Sequence, residues 1–290
     1  MAFLDIKTIL ALTAMMLFAV AGAMSLVMGQ QLSAAARAAR NSLVVQAAGW
    51  ICVVSAEFVW RMPLSVLAVV CASASSLLMF TALEHWLGPR PGRLFLHVLG
   101  VLTPLGYALG FDNPSFRVSW CNLFLATQFA VMTTAALWQS PKFADNGWRV
   151  LLALCYGPMS VLTLGRGILG GWYPELYPHF LAPHPVNVAA QVSAHISVGL
   201  SAVGVLAAWR REIEIQLERQ AHTDPLTGLL NRRGWLKHAD MVVAQARRHH
   251  FSMCILMLDL DHFKQVNDRY GHETGDRALM LLGKCIASTM

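Results

Sequence analysis

The chain has 290 residues, of which 56% are hydrophobic and only 13% are charged. A soluble domain carries roughly 25% charged residues, so this composition excludes a chain that is water-soluble throughout. The net charge of +6 is too small and too scattered to indicate a nucleic-acid partner, and we expect none. Residues 1–209 hold 16 charged residues, whereas residues 210–290 hold 22. This change in composition predicts a domain boundary after Trp209.

Seven apolar segments before this boundary are candidates for membrane-spanning helices, because a span needs about 20 mostly apolar residues. They are residues 6–28, 42–60, 63–87, 94–111, 117–138, 149–170 and 187–209. The second and fourth are the weakest candidates because they are short. The sequence therefore predicts a multi-pass α-helical membrane domain of about seven spans in residues 1–209.

The loop charges predict the orientation of these spans. Eight Lys or Arg residues lie on one side of the predicted topology: Arg37, Arg40, Arg90, Arg93, Lys142, Arg149, Arg210 and Arg211. Three lie on the other side: Lys7, Arg61 and Arg117. Because basic loops favour the cytoplasmic side, we predict an N-terminus outside and a cytoplasmic C-terminus.

Two ionisable residues, Arg166 and His195, lie deep in predicted spans. Ionisable groups are costly in a membrane, so their presence indicates a possible functional role. Either residue could contact a signal ligand or an ion. The alternative, which we favour, is a structural role for both. The extracytoplasmic loop 171–186 is rich in aromatic residues and proline. It is typical of an interfacial aromatic belt, with a lid or a ligand-binding loop as the alternatives.

Residues 210–223 follow the last predicted span. Ile213 and Leu217 fall at helical spacing among alternating charges, which predicts a helix. This connector is either a solvated amphipathic helix or a short coiled coil that pairs with a second copy of the chain.

The polar region then begins with Asp224 and Pro225, which are typical of an N-cap and of the first helical position. Thr227, Gly228 and Asn231 indicate a turn that leads into a second helix. This helix ends in a basic cluster, which is favourable at a helix C-terminus.

The uninterrupted apolar segment 251–258 predicts a strand that is buried on both faces. Asp259 and Asp261 would then lie on one side of its end, because strand side chains alternate between faces. Two carboxylates on one side repel unless a cation intervenes, and magnesium prefers such oxygen ligands beside phosphate oxygens. The alternative is that one of the two caps the next helix.

Asn267 and Asp276 follow in a polar, glycine-containing stretch. A carboxylate and a carboxamide together can recognise the hydrogen-bonding edge of guanine. Because Asp276 precedes the apolar segment 278–282, which reads as a helix, N-capping is its structural alternative.

Two motifs give this region a family resemblance: D-P-L-T-G-L-L-N-R at 224–232 and D-L-D-H-F-K-Q-V-N-D-R-Y-G-H-E-T-G-D at 259–276. Together they resemble the front half of a GGDEF domain, the domain of diguanylate cyclases. The resemblance implies an α/β fold related to nucleotidyl cyclase and polymerase palm domains. It also implies a homodimer in the bacterial inner membrane, in which each domain holds one GTP and two magnesium (or manganese) ions. Two GTP would give cyclic di-GMP and two pyrophosphates, under control of a membrane sensor domain.

The resemblance also assigns roles to individual residues. Asp259 matches a metal ligand through its carboxylate, and Leu260 matches a metal ligand through its backbone carbonyl. The loop that lies along the phosphates in the family is matched by His262, Phe263 and Lys264. The pair that recognises guanine is matched by Asn267 and Asp276.

The Gly-Gly-Asp/Glu-Glu-Phe hairpin that names the family does not occur in the 290 residues. In the family this hairpin carries a second metal-binding carboxylate, so no catalytic residue is assigned. We expect residues 224–290 to be an incomplete GGDEF domain, the full-length parent to be a cyclase, and this chain alone to be inactive. The alternative is a non-catalytic membrane sensor or binding module with a degenerate GGDEF domain. A transporter is disfavoured because intramembrane charges are few.

Overall fold

The structure is a computed structural model that describes residues 6–139, 147–177 and 184–289. Within these residues it is almost entirely helical. The helices are α1 Ile6–Met28, α2 Ala34–Ser55, α3 Arg61–Leu87, α4 Arg93–Leu109, α5 Pro114–Leu137, α6 Gly147–Trp172, α7 Pro185–His222, α8 Arg232–His249, α9 Phe263–Tyr270 and α10 His272–Thr289. The chain divides into two compact units, Met1–Trp209 and Arg210–Met290, so that the boundary falls within α7.

Capping side chains fix the starts of two helices in the first unit. The Ser33 hydroxyl accepts a hydrogen bond from the Ala36 N–H at 3.0 Å, at the start of α2. The Asn113 side chain accepts from the Phe116 N–H at 3.1 Å, and Pro114 occupies the first turn of α5. These side chains satisfy N–H groups that have no partner within the helix itself.

Within the described residues, five helices are long and apolar enough to cross a membrane. They are Thr8–Met28, Arg61–Leu87, Pro114–Leu137, Gly147–Trp172 and Pro185–Glu218. Helix α4 is apolar but shorter, and α2 carries Arg37, Arg40 and Asn41 near its start. Helices therefore occur at all seven predicted places, but the predicted count of seven spans is not confirmed.

Small residues allow close packing of helices in the first unit. A Cβ atom built on Gly49 of α2 would lie 2.8 Å from the Cβ of Cys71 on α3. Nearby, the Ser42 hydroxyl donates to the Ser75 carbonyl oxygen across the same interface, at 2.8 Å. On α6, a Cβ atom on Gly167 would lie 3.0 Å from the backbone nitrogen of Leu123. Such close approach is the usual way in which helices associate in a membrane.

A buried amide links three helices of this unit. The side-chain nitrogen of Gln128 on α5 donates to the hydroxyl oxygens of Ser73 on α3, at 3.1 Å, and of Thr103 on α4, at 2.8 Å. All three residues are buried. Because buried polar groups are costly without partners, these bonds favour one arrangement of the three helices.

Two buried arginines bind carbonyl groups at the ends of α3 and α5. The Arg90 guanidinium donates to the carbonyl oxygens of Leu87, at 2.9 Å, and of Trp138, at 2.6 Å. The Arg149 guanidinium donates to the carbonyl oxygens of Ala136, at 2.9 Å, and of Trp138. Cations are favourable at helix C-termini, where the last carbonyl groups have no helical partner.

Tyr177 corrects part of the prediction of an aromatic belt. Trp172 and Tyr173 are exposed as the belt requires, but Tyr177 is only 1% exposed. Its hydroxyl accepts from Arg166 Nε at 3.2 Å and donates to the side-chain oxygen of Asn187. Tyr177 is buried because α6 and α7 both supply partners for its hydroxyl. Residues 178–183 of the predicted loop lie outside the described residues.

His195 likewise has structural partners. Its ring lies 3.2 Å from the Thr13 hydroxyl of α1, and its Nδ1 is 2.8 Å from the Gln191 carbonyl oxygen. These contacts give His195 a packing role between α1 and α7. A role in ligand binding stays a hypothesis for both His195 and Arg166.

The strand predicted for residues 251–258 is not found. This segment has no regular structure, and every residue in it is exposed, including Cys254, which a strand buried on both faces would bury. A strand needs a second strand to pair with its N–H and C=O groups. Within the described residues, the second unit supplies helices and one isolated bridge, between Thr223 and Leu230. The predicted α/β fold is therefore not confirmed.

Candidate functional site

The first motif forms a closed loop between α7 and α8. The bridge between Thr223 and Leu230 joins its two ends. Inside it, the Asp224 N–H donates to the Leu229 carbonyl at 2.8 Å, and the Gly228 N–H donates to the Asp224 carbonyl at 2.9 Å. Gly228 has a φ of +73°, in the left-handed region that glycine adopts without steric cost. The loop is thus specified by its own backbone bonds.

The Asp224 carboxylate holds this loop from within. One of its oxygens accepts from the N–H and from the hydroxyl of Thr227, both at 2.8 Å. These two bonds lower the pKa of Asp224, because they stabilise the charged carboxylate. The predicted N-cap geometry is present, but Pro225–Thr227 is a turn and the predicted helix does not form. The helix instead starts after Asn231, whose side chain accepts from the Gly234 N–H at 3.0 Å.

Two glycines allow close packing against this loop. A Cβ atom on Gly234 of α8 would overlap the carbonyl oxygen of His222 at the end of α7. A Cβ atom on Gly283 of α10 would lie 3.0 Å from the Thr227 carbonyl oxygen. The loop 223–231 therefore contacts α10, the helix that carries Asp276.

The second motif begins with a short turn. The Leu260 N–H donates to the Asp259 carboxylate at 3.0 Å, and the Phe263 N–H approaches the Leu260 carbonyl at 3.3 Å. His262 precedes α9 with a φ of 60°, which is uncommon for a residue other than glycine. His262 occupies the N-cap position and no side chain caps α9, so the alternative that Asp259 or Asp261 caps this helix is wrong.

The donors at this turn suit magnesium in kind but not in number. Asp259 offers an exposed carboxylate and Leu260 a backbone carbonyl, both oxygen ligands of the type that magnesium prefers. Among the described residues, no group of three or more His, Cys, Asp or Glu side chains could hold a metal ion. Because residues 251–258 do not form a strand, strand alternation gives no reason to place Asp259 and Asp261 on the same side. A magnesium ion here would need further oxygen ligands, such as phosphate and water.

The guanine-reading candidates meet where α9 packs against α10. A Cβ atom on Gly275 would overlap the side-chain oxygen of Asn267 and would lie 3.3 Å from the ring of Phe263. The Asn267 amide therefore lies against the backbone directly before Asp276. Gly271, with a φ of +80°, makes the tight turn between the helices.

The remaining candidate residues lie around this contact. Asp276 is exposed and lies inside α10, which begins at His272, so the alternative that Asp276 is an N-cap is wrong. His262 and Lys264 are also exposed. The structure thus brings together Phe263, Asn267 and the backbone before Asp276.

Sequence reasoning missed two contributors to this geometry. Gly275 gives Asn267 its place, and Thr227 supplies both donors to Asp224. The motif contained a signal for Gly275, because a residue without a side chain next to a polar candidate often marks a close approach. The sequence could not show that Asn267 is the residue that approaches Gly275, because their contact depends on how the turn at Gly271 folds α10 against α9.

Comparisons with known proteins agree on this region. Residues 221–290 match the family described as diguanylate cyclase, GGDEF domain. Diguanylate cyclase DgcS of Shewanella oneidensis is 41% identical over 75 residues, which is 26% of this chain and 25% of that protein. Diguanylate cyclase DgcP of Escherichia coli is 40% identical over 74 residues, covering 26% of this chain and 22% of that protein. No solved structure matches.

In the residues that the structure describes, the chain is thus mainly helical, with five apolar candidate spans followed by a C-terminal region that is similar to a GGDEF domain. Residues 221–290 match the GGDEF domain of diguanylate cyclases, and relatives named diguanylate cyclase align with the same region. The matched segment spans about a quarter of the length of the curated relatives.

Proposed function

We propose that this chain carries the GTP-binding front part of a diguanylate cyclase. The activity is the condensation of two GTP into cyclic di-GMP and two pyrophosphates, by two GGDEF domains in a homodimer. The observation that carries the proposal is the contact of Asn267 with Gly275, directly before Asp276, in a segment related to proteins named diguanylate cyclase.

Asn267 and Asp276 would recognise the guanine base. The Asp276 carboxylate would accept hydrogen bonds from the ring N–H and the exocyclic amine of guanine, and the Asn267 amide would complement the remaining edge. Adenine presents a different donor and acceptor pattern there and would leave the Asp276 carboxylate without those donors. This gives a reason for selectivity toward GTP.

The turn at Asp259 would hold the triphosphate. Asp259 and Leu260 would hold magnesium, or manganese, together with phosphate oxygens and water. When bound, the metal neutralises charge on the phosphates and activates the attacking hydroxyl. His262, Phe263 and Lys264 would line the phosphates, where the ammonium group of Lys264 supplies positive charge.

The membrane unit would control this domain. Helix α7 runs without a break from Pro185 to His222, from a candidate span into the connector. In the connector, Glu214 pairs with Arg210 at 2.9 Å and with Arg211 at 3.2 Å. We propose that residues 1–209 act as a sensor in the bacterial inner membrane, with the GGDEF part in the cytoplasm. Residues 210–223 would pair with their copy in the dimer and pass the signal on.

The test is a cyclase assay on the protein expressed from its complete reading frame and reconstituted in lipid, with GTP and magnesium. We expect cyclic di-GMP, and a loss of turnover by at least about 100-fold in Asp259→Ala, because a metal ligand is removed. Asp240→Ala is the matched control, since Asp240 is an exposed aspartate of α8 outside the site. Equal activity of the two variants would exclude the proposed role of Asp259.

A non-catalytic binding module is the second candidate. It is favoured by one observation, that the 290 residues contain no Gly-Gly-Asp/Glu-Glu-Phe sequence. This candidate predicts that GTP binds, that Asn267→Ala and Asp276→Ala weaken its affinity, and that no cyclic di-GMP forms. Product formation by the protein from the complete reading frame would exclude it.

A further inference from the structure

Positive charge in the second unit is concentrated on one helix. Helix α8 carries five of the unit's Lys and Arg residues and one acidic residue, Asp240. The five are Arg232, Arg233, Lys237, Arg247 and Arg248. The candidate GTP site is acidic on balance, because residues 259–277 hold five Asp or Glu residues and three Lys or Arg residues.

All five basic side chains are exposed, and they lie on one side of α8. At 100° per residue they fall within an arc of about 160°. The buried residues of α8, Gly234 and Ala246, lie outside this arc. Within the described part of the chain, none of the five forms an ion pair or a hydrogen bond. Asp240 falls within the same arc and offsets one of the five positive charges, so the arc keeps a net charge of +4.

Exposed apolar side chains border the basic arc. Leu236 is 50% exposed and Met241 is 52% exposed. At helical spacing, Leu236 falls among the basic residues and Met241 at the edge of the arc. A basic helix face with exposed apolar residues is the pattern of a helix that lies on a membrane surface.

The chain tethers this helix to a candidate membrane span. Thirteen residues, 219–231, lie between the candidate span Pro185–Glu218 and α8. Basic residues just beyond a span are attracted to anionic lipid headgroups on the cytoplasmic side.

We infer that α8 is a docking surface for anionic phospholipid headgroups. Lys237, Arg247 and Arg248 contact the phosphates, and Leu236 and Met241 reach the boundary between headgroups and acyl chains. This goes beyond the proposed cyclase activity, and it relies only on insertion of the first unit in a membrane. Lipid composition then becomes an input to the GGDEF domain.

The test is hydrogen–deuterium exchange of the full chain in nanodiscs, either of phosphatidylcholine alone or with added phosphatidylglycerol. Helix α10 is an internal control, because it has the same length of 18 residues as α8. Its acidic residues, Glu273 and Asp276, balance its basic residues, Arg277 and Lys284. We expect amide exchange in α8 to slow on the order of tenfold in the anionic nanodiscs, with α10 unchanged.

A charge variant completes the test. Replacing Lys237, Arg247 and Arg248 by Gln should abolish the slowing, because Gln keeps a similar helix propensity but carries no charge. Replacing Arg277 and Lys284 of α10 by Gln should leave the slowing intact. About 0.5 M salt should weaken it through screening.

Four results would overturn the inference. One is equal α8 exchange in the two lipids, and another is equal slowing of α8 and α10. The third is slowing that survives in the triple variant. The fourth is slowing that appears in neutral lipid with rising protein concentration, which would indicate a second copy on this face. None of these readouts requires GTP, so they fail or succeed independently of the cyclase proposal.

Discussion

A single carboxylate, that of Asp224, closes the loop between α7 and α8. Its pKa is lowered because the Thr227 N–H and hydroxyl both donate to it. A group with a lowered folded pKa stabilises the fold fully above its unfolded pKa, about 3.9 for Asp. This stabilisation is lost as the pH falls through the lowered folded pKa.

We therefore expect Asp224→Asn to reduce protection of the Thr227 amide at neutral pH, measured by hydrogen exchange and corrected for the intrinsic rate. The difference from the wild type should shrink as the pH falls below about 3.9. Asp240→Asn, an exposed change in α8, should have no effect at any pH. A difference that stays constant with pH would show that the carboxylate charge does not stabilise the loop.

The absence of a side chain at Gly275 sets the position of Asn267. In Gly275→Ala, the new methyl group would occupy the place of the Asn267 side-chain oxygen. Ala favours helix formation, so α10 should persist while the Asn267 amide is displaced. If Asn267 reads guanine, GTP affinity should fall about tenfold, which corresponds to about 1.4 kcal/mol.

Titration calorimetry with GTP would measure this change, with Asn267→Ala as a reference that should lose a similar amount. Thr274→Ala is the control, because the Thr274 hydroxyl donates to the Tyr270 carbonyl within the helical region, at 2.9 Å. Unchanged affinity in Gly275→Ala, beside a loss in Asn267→Ala, would mean that Asn267 binds GTP from another position.

At the scale of helices, Arg90 joins the end of α3 to the end of α5. Its buried guanidinium donates to the Leu87 and Trp138 carbonyls, whereas Arg93 is largely exposed and lies 3.7 Å from Glu84. Arg90→Met should lower the free energy of unfolding by about 2 kcal/mol, because the Leu87 carbonyl loses the Arg90 donor and the Trp138 carbonyl keeps only its bond from Arg149. Arg93→Met should cost less than about 1 kcal/mol, as exposed ion pairs contribute little.

Denaturant titration of the protein in detergent micelles, followed by circular dichroism, would compare these two variants. Equal destabilisation would show that the Arg90 contacts do not hold α3 against α5.

Helices were predictable in this chain because a helix satisfies its backbone within one segment. Helix α8 follows from its Asn231 cap and its spacing alone. The segment 251–258 has equally strong sequence signals, but a strand needs a partner from elsewhere, and the described residues hold none. The burial of Tyr177 could not be predicted for the same reason, since its hydroxyl partners come from two different helices.

The candidate site could also be predicted from the sequence only in part. Asp259, Asn267 and Asp276 could be named from residue type and spacing. The roles of Gly275 and Gly283 could not, because they depend on how α10 packs against α9 and against the loop 223–231.

At the scale of the whole molecule, cysteine labelling tests the proposed orientation in the membrane. Cys254 and Cys285 are exposed, whereas Cys121 and Cys155 are buried. If the second unit is cytoplasmic, a membrane-impermeant maleimide should not label Cys254 or Cys285 in intact cells and should label both after permeabilisation. If the label disappears when Cys254 and Cys285 are both replaced by Ser, these two cysteines are the labelled residues. Labelling before permeabilisation would reverse the proposed orientation.

The exposed segment 251–258 also has a consequence for the life of the protein in a cell. Ile255, Leu256, Met257 and Leu258 are between 65 and 95% exposed, in a run without charge or proline. Such a run is prone to intermolecular β-pairing. Chaperones and proteases continuously remove chains that present surfaces of this kind. The steady-state abundance of the protein should therefore depend on how quickly this segment is covered, so a change in cellular output can arise from turnover of the chain without any change in its chemistry.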